Sequence, residues 1–64
     1  MFTWFIRLTY VGIYGDTITQ CYLTKADNDI IALDKALSQF WIDTGLNFDD
    51  DIENINWTIA NFGG

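Results

Sequence analysis

The chain has no proline, no histidine, one cysteine and only three basic residues among its 64. Each shortage excludes something. A lone Cys21 cannot close an intrachain disulfide, and without histidine neither the zinc sets built from cysteine and histidine nor the histidine-based nucleophile and base pairs can be assembled. Arg7, Lys25 and Lys35 stand against nine acids, giving a net charge of −6. Such a field repels nucleic acid and anionic lipid and attracts a basic protein surface, so neither direct nucleic-acid binding nor membrane binding is expected. No apolar run approaches the ~20 residues that cross a bilayer. Arg7 interrupts the N-terminal run, so no signal peptide and a cytoplasmic location are expected.

What is present is aromatic. Three Trp, three Tyr and five Phe each bury roughly 150–250 Å² when enclosed, which matters because a domain of this size buries only about 60% of its extended surface. Residues 1–64 are expected to form one domain. Its organising stretch is Phe2 to Val11, where Phe2, Trp4, Ile6, Leu8 and Tyr10 alternate with Thr3, Phe5, Arg7, Thr9 and Val11. That period of two sorts into faces only in a strand, and the wholly apolar face places it at the centre of a sheet.

Tyr14-Gly15-Asp16-Thr17 has the form of a two-residue type II′ hairpin turn with glycine first. Pairing Tyr14 with Thr17 sets Leu8 opposite Leu23 and Tyr10 opposite Cys21 on the core face, with Ile13 opposite Ile18 on the other. Gly12 leaves a bulge before the turn as the alternative. From Lys25 the spacing turns helical: Asp27 or Asn28 caps the start, and Ile30, Leu33, Leu37 and Phe40 or Trp41 recur at three and four residues. Gly45 ends the helix, with Leu46 placed for a Schellman contact. Residues 47–53 read as an acidic loop, and Ile55, Trp57 and Ile59 alternate with polar residues as a third strand. The expected fold is α+β, a small ββαβ domain whose antiparallel-type sheet has order 2-1-3 and one helix packed on one face.

The run Asp49, Asp50, Asp51 and Glu53 admits three readings: a solvated loop, a weak cation site, or a binding edge for a basic partner. An EF-hand loop starting at Asp49 fails, because Asn54 stands where glycine is required and Ala60 where an acid is required. The binding edge has physical support, because carboxylates on successive residues, ~3.8 Å apart at Cα, match the density of phosphates along a nucleic-acid strand at ~3.4 Å rise. Asp43 at the helix end and Asp34 on its wet side extend that edge. Cys21 is expected inside and inert, and Trp4, Trp41 and Trp57 on the inner stripe. Phe5, Ile13, Ile18 and Tyr22, with Val11, are left on the uncovered sheet face, the expected contact for a homodimer or partner. No catalytic residue, metal set or cofactor is expected, and the chain is read as not an enzyme.

Two resemblances bear on function. A hairpin, helix and strand followed by Gly63-Gly64 resembles the ubiquitin-like sulfur carriers over the element order up to the helix and the final two residues. That likeness implies a last strand parallel to the first and a terminal glycine activated as an acyl adenylate. The combination of small size, strong acidity, many aromatics and no catalytic set is similar, as a class, to phage-encoded inhibitors of host defence of the anti-CRISPR and anti-restriction type, including DNA mimics. The class implies an interaction protein that binds a basic nucleic-acid-binding protein, and this is the leading expectation. A small structural dimer subunit is the third.

Overall fold

The alternation that marks the first strand is realised over its whole length. In the computed structural model, which describes residues 1–63, β1 (Phe2–Val11) is the central strand of a three-stranded antiparallel sheet. It is flanked by β2 (Thr17–Ala26) and β3 (Ile55–Gly63), in order β2-β1-β3. Helix α1 (Asp29–Thr44) follows β2 and lies on β2 and β1. The expected ββαβ arrangement and sheet order are both observed. The molecule is elongated, measuring 39 × 17 × 17 Å.

The core is built where α1 meets the inner row of β1. Ile6, Leu8, Ala26, Ala32, Ala36, Phe40 and Ile55 are buried, and Trp4, Tyr10, Leu33, Leu37, Trp41, Leu46 and Ile59 close around them. Ala32, Ala36 and Phe40 recur every four residues and form one face of the helix. Two alanines there let the helix backbone approach the sheet, leaving Phe40 as the large side chain that fills the space. The stripe excludes Ile30, which is 76% exposed in the first turn. Asn28, rather than Asp27, caps the helix: its Oδ1 accepts from the Ile31 N–H at 2.9 Å. At the other end Gly45 adopts φ 74° and donates its N–H to the Trp41 carbonyl at 2.9 Å. The Leu46 N–H goes to Thr44 Oγ1 at 3.3 Å, so the helix closes with the simpler left-handed cap and not the Schellman motif. Leu46 still reaches the core.

The hairpin departs from the expected register. Leu8 lies opposite Gln20, Tyr10 opposite Ile18, Ile6 opposite Tyr22 and Arg7 opposite Cys21. The loop is Ile13-Tyr14-Gly15, closed by a Gly12 N–H bond to the Asp16 carbonyl at 2.7 Å and a Gly15 N–H bond to the Gly12 carbonyl at 3.0 Å. Gly15 is at φ 87°, the left-handed residue that ends a three-residue loop rather than the first residue of a type II′ turn. Leu8 thereby meets Gln20 instead of Leu23, an odd shift, and an odd shift turns every β2 side chain to the opposite face.

Three expectations are corrected by that single change. Ile18 and Tyr22 leave the open face and pack against the core. Cys21 is exposed on the open face, not buried beside Tyr10. Ile13 stands in the loop, 82% exposed. Independently of the hairpin, the sheet's irregularity falls not at Gly12 but opposite Thr3 and Trp4, where β3 slips its register. A fifth correction is independent of the hairpin: Trp57 shares the helix-side face with Leu8, yet it is 47% exposed because α1 lies over β2 and β1 and not over β3.

Phe40 is the largest fully buried side chain. Phe40→Ala should therefore cost about 3–5 kcal/mol, a large share of the stability of so small a domain. Urea denaturation monitored by circular dichroism would show a midpoint near zero denaturant.

Candidate acidic interface

The topology decides where charge collects. β1 and β3 are antiparallel, with Tyr10 opposite Ile55, so the chain preceding β3 lies at the same end of the sheet as the β1–β2 hairpin. That preceding chain is not an irregular loop as expected. It forms a one-turn helix, α2 (Phe48–Asp51), followed by a 3-10 turn, Ile52–Asn54. Asn47 Oδ1 accepts from the Asp49 N–H at 2.9 Å, while the Asp51 carboxylate accepts from the Asn47 N–H at 2.9 Å. These reciprocal bonds close the turn, and three carboxylates in its first turn face the positive end of its dipole.

Aromatic contacts fix α2 to the core. The Phe40 and Trp41 rings meet edge-on at 5.8 Å, and Trp41 meets Phe48 edge-on at 5.9 Å. Asp49, Asp50 and Glu53 are exposed and Asp51 is half-buried. Asp51 lies near Tyr10, whose phenol is raised above its ordinary value by burial first, and then by the negative charges of Asp51 and Asp16. Asp16, on the hairpin loop, thus joins the same group.

Asp43 occupies the last turn of α1. Its Oδ2 accepts from the Tyr22 hydroxyl at 3.0 Å and its Oδ1 accepts from Gln39 Nε2 at 2.8 Å. Burial, then the hydrogen bond to Asp43 and its charge, push the Tyr22 phenol up to about 12. Asp34 is not brought into the group. It precedes Asp43 by nine residues on α1, which at ~100° per residue sets it on the far side of the helix axis. The bases lie elsewhere: Arg7 in the middle of the open face opposite Cys21, Lys25 opposite Thr3 at the far end, and Lys35 donating to the Lys25 carbonyl at 3.0 Å. Among the described residues the one ion pair joins the Met1 amino group to Asp27 at 3.9 Å, also at the far end.

Of the residues expected on the uncovered face, only Phe5 and Val11 are there. Phe5 stacks on Phe62 at 5.8 Å, and Leu23 stands opposite it across the strands. The open face is thus an aromatic and aliphatic end beside a threonine-rich end that includes Thr9 and Thr19, with their hydroxyls 3.4 Å apart. Leu23, Phe62 and Asp16 were missed by sequence reasoning; the sheet order and an antiparallel β3 place Asp16, whereas Leu23 needs the true hairpin register. Of the terminal pair, Gly63 closes β3 at φ 94° and Gly64 lies outside the described residues. β3 runs antiparallel to β1, not parallel as the sulfur-carrier likeness implies. Among the described residues no three metal-ligating side chains converge, and no helix is long and apolar enough to cross a membrane. Compared with known proteins, the chain matches no family model, no curated protein and no solved structure.

The Tyr22–Asp43 bond gives a pH dependence of definite sign. The folded protein keeps this phenol protonated up to about 12, against an ordinary 10.0 in the unfolded chain. The stabilisation is therefore complete below pH 10 and is lost as pH rises from about 10 to about 12. Tyr22→Phe should lower stability by about 1 kcal/mol at neutral pH and flatten the alkaline decline, as read from thermal melts at stepped pH.

Proposed function

We propose that this chain is a non-enzymatic interaction protein whose acidic end binds a basic, nucleic-acid-binding surface of a larger protein and blocks it. The observation that carries this reading is the segregation of charge. Asp16, Asp49, Asp50, Asp51 and Glu53 gather at the hairpin end of the sheet, with Asp43 on the neighbouring end of α1, and no lysine or arginine lies in the hairpin loop, in α2, in the 3-10 turn or in the last two turns of α1. Asp51 caps its turn and Asp43 accepts from Tyr22 and Gln39, but no base in these segments offsets the mutual repulsion of the gathered carboxylates. The arrangement suits a partner that brings the missing positive charge. Carboxylates held on a capped helical turn present a fixed array to guanidinium and ammonium groups that otherwise hold phosphates. Inhibition of a host-defence nuclease complex, of the anti-CRISPR or anti-restriction type, is the biological role this chemistry fits.

The test uses the chain immobilised and a nuclease-treated lysate of its natural host. A captured basic protein should be released by salt and by duplex DNA. Asp49→Asn, Asp50→Asn and Asp51→Asn together remove three charges while keeping size and, at residue 51, an acceptor oxygen for the Asn47 N–H. The triple variant should slow association about tenfold or more at low salt and reduce its salt dependence, with stability changed by less than about 1 kcal/mol. Capture that is indifferent to salt, to DNA and to the triple change would set the acidic end aside as the contact.

A further inference from the structure

β3 is a sheet edge guarded by no charged side chain and no covering helix, its register slip lying only at the C-terminal end between Asn61 and Gly63. Its nine residues, Ile55–Gly63, contain no charged side chain and no proline, although charged residues make up 19% of the chain. Edge strands are ordinarily guarded by lysine, by proline or by a covering element, because their outward N–H and C=O groups pair with any free strand. The other edge is guarded: Lys25 lies in β2 and α1 lies over it. Along β3 the backbone edge is flanked by exposed rings on both faces, Trp57 at 47% and Phe62 at 66%.

We propose that β3 pairs antiparallel with β3 of a second copy of this chain, centred on Ile59, to form a six-stranded sheet. The edge chemistry requires a β-strand as occupant, and the charge distribution selects this one. Among the described residues β3 is the only secondary-structure element free of charge, so two copies of it meet without any like-charge opposition. The direction follows from the acidic end. Antiparallel pairing points the two hairpin ends opposite ways along a molecule 39 Å long, several times the ~8 Å screening length of physiological salt; parallel pairing would set the two acidic ends side by side. Centring on Ile59 aligns the regular part of the strand, with Thr58 opposite the partner's Ala60 and Trp57 opposite the partner's Asn61. Such a contact is isologous and closes after two copies. It is independent of the partner proposed for the acidic end.

Sedimentation equilibrium of the full chain from micromolar to millimolar concentration should give twice the 7.4 kDa chain mass. Thr58→Glu with Ala60→Glu sets carboxylate against carboxylate on both sides of the axis and should raise the dissociation constant at least about tenfold, with an unchanged circular dichroism spectrum. The same charge added to exposed positions of the other edge, Thr17→Glu with Thr19→Glu, should leave it within about twofold of the unaltered chain. Hydrogen exchange on the unaltered chain supplies a reading free of substitutions: β3 amides should slow as concentration rises. A chain that remains 7.4 kDa throughout, a dimer lost through the β2 changes instead, or a dimer whose β3 amides exchange at the monomer rate would overturn the proposal.

Discussion

Gly15 holds a left-handed conformation at φ 87°, and through it the hairpin turns in three residues, which settles which side of β2 is dry. With this pairing Ile18, Tyr22 and Ala26 face α1, while Cys21, Leu23 and Lys25 face away. The opposite parity would place Lys25 beneath the helix, and a charge withdrawn from water without a partner costs several kcal/mol. Much else depends on the same choice. The carbonyl of buried Ala26 receives the Trp4 Nε1–H at 3.0 Å, and the Tyr22 hydroxyl reaches the far end of α1 at Asp43. The helix is thus positioned at both ends by residues that the turn has directed inward.

Charge follows from the same topology, with two different local energetics. The acids of α2 stand at the favourable end of a short helix and contribute to its capping. Asp43 stands at the unfavourable end of a long one, where bonds from Tyr22 and Gln39 offset the mismatch. Both sets end up near the hairpin because α1 returns the chain across the sheet before β3 begins. Arg7 belongs to the middle of β1, Lys25 to the far end of β2 and Lys35 to α1 beside Lys25, and the domain is electrically polar along its length.

Much of this was legible in the sequence. The alternation of Phe2 to Val11 carried the central strand to its observed bounds, Gly45 marked the helix end, and the order 2-1-3 followed from giving the most apolar strand two neighbours. The hairpin register was not legible from Gly15 alone, because one glycine suits either the first place of a two-residue turn or the last place of a three-residue one. β2 offered little to decide between them, since Ile18 and Tyr22 on one face are balanced by Cys21 and Leu23 on the other. Lys25 opposite Ala26 in polarity was the available signal. The acidic segment reads as a loop because its apolar residues, Phe48 and Ile52, are too few to show a period; Asn47 ahead of three aspartates is the capping signature that reveals its helical turn. Trp57 looked internal from alternation, which reports the face of a strand but not whether the helix extends over it.

The placement of β1 between its two neighbours also orders the events of folding. β1 meets β2 across a three-residue loop, a closure of the kind completed in about 1–10 μs. It meets β3 only across everything from Val11 to Ile55, and the entropy of closing a loop grows with its length. The hairpin and α1 can therefore gather Ile6, Leu8 and Phe40 while one side of β1 is still bare. Sequence distance makes the C-terminal strand the late arrival, and the speed with which it finds the waiting edge governs how long the half-built sheet stays open to strangers.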